Sequence, residues 1–167
     1  MLFPEKDKKE KKVEQILLKN YNSYYRLACS YVHNEHDAGD IVQNGAYKAI
    51  LHCDSLKKEE YAATWIYRIM LNEIFRFLKK EAAASRETAV SYEELDYEIG
   101  REDAYGNVDL QRALDTMSKE DKAVIELKYF EEMKFGEIAE VMGENVSTVK
   151  SRLYRGLKKL RLELSDT

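Results

Sequence analysis

The sequence predicts an all-α fold of two small helical domains joined by an acidic linker. Three observations lead there. Only seven glycines and a single proline, Pro4, interrupt 167 residues. Apolar residues recur at three- and four-residue spacing through most of the chain, the period of helices with one buried face. The charge is segregated: the formal net charge is −4, yet from Arg86 to Asp109 eight acids stand against only Arg86 and Arg101, whereas Ser147 to Leu162 holds basic residues and no acid. An acidic middle segment therefore masks a basic C-terminal unit, and distribution says more about partners than the net value.

Met1 to Lys12 is mostly lysine and acid, the composition of a charged, disordered tail and not of a secretory signal. From Val13 to Val32 a stripe of Ile16, Leu17, Tyr24, Leu27, Ala28 and Tyr31 marks the first helix. After a break at Asn34, a second helix is predicted over His36 to His52. A third covers about Glu59 to Glu81 and carries the sole tryptophan. There Trp65, Ile69, Phe75 or Leu78 can face a core while Arg68, Asn72, Arg76, Lys79 and Lys80 stay outside. Aromatics interleaved with cations suit single-stranded nucleic acid, whose bases stack and whose phosphates attract charge. A core helix with buried aromatics fits this segment equally well.

Weak periodicity and residues such as Ser85, Thr88, Ser91, Gly100 and Gly106 make 83–107 a linker. The second domain, 108–167, opens with Leu110, Ala113, Leu114 and Met117. Ser118 caps the next helix, with Asp121 completing a capping box, and Val124, Ile125, Leu127 and Phe130 form its buried side. A short helix from about Phe135 to Met142 follows, with Phe135, Ile138, Ala139 and Met142 on one stripe. Gly143 can take the left-handed conformation that ends it, and Asn145 and Ser147 can turn the chain and cap the last helix. In that helix Val149, Leu153, Leu157, Leu160 and Leu164 point inward, and Thr148, Lys150, Ser151, Arg152, Tyr154, Arg155 and Lys158 occupy the other faces. Two helices around a sharp turn, the second basic, form a helix-turn-helix: early residues reach base edges in the major groove and cations neutralise phosphates. Gly156 runs against helix propensity and implies close packing.

Cys29, His33, His36 and Cys53 can be considered as a metal set, but only Cys29 and His33 are spaced one turn apart, so no metal is expected. No glycine-rich phosphate loop and no histidine beside a nucleophile motif is present, so neither catalysis nor a cofactor is expected. No apolar run is long enough to span a bilayer, and two cysteines in helical patterns fit a reduced cytoplasmic protein.

The order D-A-G-D-I-V-Q-N, T-W-I-Y-R-I-M-L-N, acidic linker, V-I-E-L-K-Y-F-E-E-M-K-F-G-E-I-A-E-V-M-G-E-N-V-S-T-V-K-S-R-L-Y-R-G-L-K-K-L resembles the extracytoplasmic-function sigma factors of bacteria. The resemblance implies a region 2 domain at 13–82 and a region 4 domain at 108–167. It implies a transcription initiation factor that binds core RNA polymerase through the β′ clamp helices and β flap, recognises promoter DNA and helps to open it. Asp37, Asp40, Gln43 and Asn44 then match the polymerase-docking helix. Trp65, Arg68 and Asn72 match the part that captures the melted −10 element, after a loop at about Asp54 to Ala63 that reads a flipped base. Lys150, Ser151, Tyr154 and Arg155 match the −35 recognition face, with Thr148 beside them and Arg152 and Lys158 as phosphate contacts. The resemblance further implies an anti-sigma factor, often membrane-anchored, docking on the apolar surface of Val13 to Val32 and Trp65 to Phe77, and no small-molecule substrate. A conventional helix-turn-helix regulator acting without polymerase is the alternative, and a helical protein-interaction module a more distant one.

Overall fold

Proline lacks the N–H that a first helical turn would leave unpaired, and its fixed φ suits that position. Pro4 accordingly opens the first helix of the computed structural model, which describes residues 4–88 and 108–165. Helix α1 runs Pro4–Val32. This corrects the expected disordered tail: behind Pro4 the lysines and glutamates are good helix formers, and they extend the helix that the apolar stripe from Val13 anchors. Met1 to Phe3 lie outside the described residues, as do 89–107 of the expected linker.

His33 takes a left-handed φ of 53° and the chain reverses at once into α2, Glu35–Leu51, where the Asn34 side chain accepts the Asp37 N–H at 3.0 Å. Two short 3-10 turns, Cys53–Ser55 and Glu59–Tyr61, lead into α3, Ala62–Thr88. That helix passes the expected end at Glu81 because Ala82, Ala83 and Ala84 are the best helix formers. The first six residues assigned to the linker are therefore helical. The buried stripe of α3 also differs from expectation. Ile66, Tyr67, Met70, Leu71 and Ile74 fill the core with Leu17, Tyr24 and Leu27 of α1 and Ile41 and Val42 of α2, while Trp65, Ile69, Phe75 and Leu78 are only partly buried at its edge. Several residues on adjoining faces of α3 are apolar, so periodicity did not choose between them.

The second domain comprises α4, Val108–Asp115, α5, Lys119–Tyr129, α6, Phe135–Met142, and α7, Val146–Ser165. Ser118 accepts the Asp121 N–H at 3.2 Å, but the expected capping box is not completed, because the Asp121 carboxylate turns to Arg152 and Arg155. Gly156 is buried where α7 crosses α5, and a Cβ there would lie 2.6 Å from Ile125 Cδ1 and 3.5 Å from Met117 Sδ. Gly156→Val should therefore lower stability by about 1–3 kcal/mol through overpacking, read as an earlier urea midpoint. A midpoint at or above that of the parent would show that the crossing has spare room.

The two domains pack together: α6 lies against α3, and polar groups of α1 meet α4 and α5. Among the described residues there is no strand, and no helix is long and apolar enough to cross a membrane.

Candidate nucleic-acid interface

The helix-turn-helix is built by short-range chemistry. Gly143 sits at φ 68°, ψ 31°, the left-handed conformation glycine adopts without a Cβ penalty. The Asn145 side chain then accepts the Thr148 N–H at 2.8 Å and starts α7. Val149 and Leu153 bury the inner face, so Lys150, Ser151, Tyr154 and Lys158 stand exposed on the outer one, Tyr154 at 63%. Lys150 Nζ lies 5.4 Å from the Phe135 ring centroid, a contact that orients the cation without neutralising it. Thr148 is half-buried in the first turn.

Arg152 and Arg155 are placed differently. Arg152 Nε donates to both carboxylate oxygens of Glu144 at 3.0 and 2.9 Å and Nη1 donates to Asp121 at 3.1 Å. Arg155 Nε and Nη2 donate to Asp121 at 2.8 and 3.0 Å. The bond from Arg155 holds the Asp121 carboxyl below the usual range, with Arg152 adding to it against the opposing effect of burial. Burial alone would lower the Arg152 guanidinium, but Glu144 and Asp121 outweigh it and raise it. Arg152 thus ties the turn and α5 to α7, its guanidinium engaged by Glu144 and Asp121. Arg155 remains mostly exposed and shares its charge with Asp121.

On the first domain, Trp65, Arg68 and Asn72 follow one another along α3, Trp65 half-buried and the other two exposed. Trp65 and Arg68 line a cleft with Lys57, Lys58, Tyr61 and Thr64, whose opposite wall is Ala139, Glu140, Gly143 and Glu144. Asn72 lies beyond the lining. Lys57, Lys58 and the exposed Tyr61 were not singled out from sequence, although their place in the loop before α3 was the available signal.

A third surface lies on α2. Asp40, Gln43 and Asn44 are exposed and continue into Tyr47, 66% exposed, and Leu51. That succession, one residue per turn on one face, is an amphipathic signal that could have added Tyr47. Asp37 instead turns half-buried into a groove with Tyr31, Asn34 and Asp115. Of the expected inhibitor surface, Leu18 and Tyr21 on α1 are exposed, whereas Trp65 to Phe77 is partly occupied by α6. Cys29 and Cys53 are buried, His33 meets Asp115 at 2.8 Å and His36 meets Asp40 at 3.4 Å. Among the described residues no three such groups gather as a metal site.

Comparison with known proteins agrees with this geometry. Residues 16–84 match the family model for sigma-70 region 2 and residues 107–160 the model for sigma-70 region 4. The chain is 40% identical over 143 residues to the RNA polymerase sigma factor SigV of Bacillus subtilis, covering 85% of this chain and 84% of that protein. It is 32% identical over 155 residues to the ECF RNA polymerase sigma factor SigW of the same organism, covering 85% and 83%. Among solved structures, the sigma factor RpoE of Bartonella quintana, in complex with the anti-sigma factor NepR, superposes with a TM-score of 0.73 at 22% identity, covering 91% of this chain and 96% of that one. CnrH, in complex with the cytosolic domain of CnrY, gives 0.69 at 22% identity, with coverage of 92% and 88%.

Proposed function

Because the chain belongs to the extracytoplasmic-function sigma factors of bacterial RNA polymerase, we propose a division of labour for its three surfaces. Residues 13–82 engage core polymerase through Asp40, Gln43, Asn44 and Tyr47 and capture the melted −10 strand with Trp65, Arg68 and Asn72. Residues 108–167 read the −35 duplex with Lys150, Ser151, Tyr154 and Arg155, beside Thr148 and Lys158. The observation that carries this reading is the outward face of α7, where cations and Tyr154 are exposed and oriented by a packed inner face. Leu18 and Tyr21 supply apolar surface for an anti-sigma factor, the class of partner seen with RpoE of Bartonella quintana, and the chain works in the cytoplasm, held at the membrane when its inhibitor is anchored there.

Runoff transcription with purified core polymerase on a library of promoter fragments tests the whole assignment. Initiation at defined sites only when the chain is added is the expected result. Tight, site-specific duplex binding with no polymerase dependence would instead favour a conventional regulator. Lys150→Glu is expected to weaken −35 duplex binding and reduce the slope of log affinity against log salt by about one unit, the effect of one lost phosphate contact. An unchanged slope in fluorescence anisotropy titrations would place Lys150 off the DNA.

A further inference from the structure

One aromatic ring gathers cations from two helices beside the duplex-reading face. Phe135 is the first residue of α6, half-buried against the core of the second domain. Its ring centroid lies 4.5 Å from Lys128 Nζ, in the last turn of α5, and 5.4 Å from Lys150 Nζ, on the outward face of α7. Both fall within the roughly 6 Å at which the negative face of a ring attracts an ammonium. Lys150 is exposed and Lys128 half-buried. Among the described residues neither ammonium meets a carboxylate, so the ring is the group that holds them.

The backbone works against its own preference to put the ring there. A bond from the Met133 N–H back to the Leu127 carbonyl at 3.0 Å closes α5, with Glu132 inside the turn at φ 55°. Glycine is the usual residue at that left-handed position of a helix end, and glutamate adopts it at a cost in strain. Met133 is then buried, and the Glu137 carboxylate accepts the Lys134 N–H at 2.9 Å, which starts α6 with Phe135. The reversal brings position 135 back alongside position 128. Strain held at a reversal is a reason to seek function in what the reversal positions. A lysine loses side-chain entropy when it is fixed on DNA, and one already held in the bound orientation has lost part of it beforehand.

We infer that Phe135 is a positioning residue for duplex recognition, holding Lys150 in the orientation in which that lysine meets the −35 duplex. The inference rests on the reading of α7 proposed above. Phe135 acts through Lys150, not on the DNA. Lys128, on the same ring, adds a second positive charge no more than about 10 Å from the first, and the negative face of the ring offsets their repulsion. Leucine in place of the ring keeps apolar bulk and removes that attraction, so Lys150 starts from a freer state and duplex affinity falls. At an exposed site a contact of this kind corresponds to about a two- to fivefold change in affinity.

The test uses the full chain in anisotropy titrations with a −35 duplex taken from the runoff sites. Phe135→Leu should bind about two- to fivefold more weakly, and Phe135→Tyr, which restores the ring face, should bind like the parent. In a Lys150→Gln background Phe135→Leu should weaken binding no further, whereas a role confined to packing would weaken both backgrounds alike. Proton–carbon NMR of the parent needs no variant: the Lys150 methylene beside the ammonium should be shifted upfield by the ring, and should return to its ordinary position in Phe135→Leu. An unshifted methylene in the parent, or Phe135→Leu binding as tightly as the parent, overturns the inference. Lys150→Gln weakening binding where Phe135→Leu does not would leave the reading of α7 standing and remove only the role of the ring. Lys150→Gln without effect would remove both.

Discussion

Arg152→Met is expected to destabilise the chain by about 3 kcal/mol, the scale for removing one partner of a largely buried ion pair and leaving the other charge behind. For a chain of this size that is a fall of roughly 6–12 °C in the unfolding midpoint. Arg152 is the only cation bonded to Glu144 among the described residues and shares Asp121 with Arg155. Methionine keeps much of the aliphatic bulk and deletes the guanidinium, so the loss isolates the ion pairs. Thermal melts followed by circular dichroism supply the number, with Lys150→Glu as the contrast: that variant should melt like the parent and lose about one unit of salt slope. An Arg152→Met melt within a degree or two of the parent, together with a reduced salt slope, would return Arg152 to the phosphate contacts.

Glu126→Gln is expected to stabilise the chain at neutral to alkaline pH, against the usual outcome of a buried substitution. Burial pushes the Glu126 carboxyl up from 4.5 to about 7, while Lys122 and the Ser30 hydroxyl pull it down and Asp115 and Glu131 push it up. On α1 Tyr31 stays neutral, since burial raises its hydroxyl well above the ordinary value. Asp115 keeps its charge: burial raises it, but the bonds from His33 and Lys122 outweigh that and lower it. Between about pH 4.5 and 7 the folded chain therefore holds a proton that the unfolded chain has released. Stability from this group is complete below pH 4.5 and declines as pH rises to about 7, by up to about 3 kcal/mol at 1.36 kcal/mol per unit. Glutamine carries no ionisable proton and removes that decline. Urea midpoints at pH 5, 6.5 and 8 should separate progressively in favour of the variant. Parallel pH profiles would mean that Glu126 is solvated in the folded chain.

The helix-turn-helix was legible residue by residue: Phe135–Met142, the left-handed Gly143 and the cap that starts α7 are set by neighbours within a few positions. The tight crossing at Gly156 was legible as a violation of propensity that only packing explains. The ion pairs of Arg152 were not, because nothing in a string of basic residues marks the one that meets Asp121 and Glu144. Nor was the buried face of α3, where apolar residues on adjoining faces left Ile66 and Met70 indistinguishable from Trp65 and Ile69. The helical start at Pro4 was missed because charge composition was read as disorder, although the same residues have high helix propensity.

The sequence by itself determined the class of fold, the order of two helical modules, the family, and the exposed basic face of the last helix. Each depends on local periodicity, caps and charge, whose range is about one helical turn. Only the tertiary structure decided that the modules close on each other, that Glu140 and Glu144 face Arg68, and that Ser30 meets Gln111, Lys122 and Glu126 across 81 to 96 residues of chain. A polar residue destined for a buried seam carries the same local pattern as one destined for water. What separates them is the partner on the other domain, and no spacing within either helix encodes it.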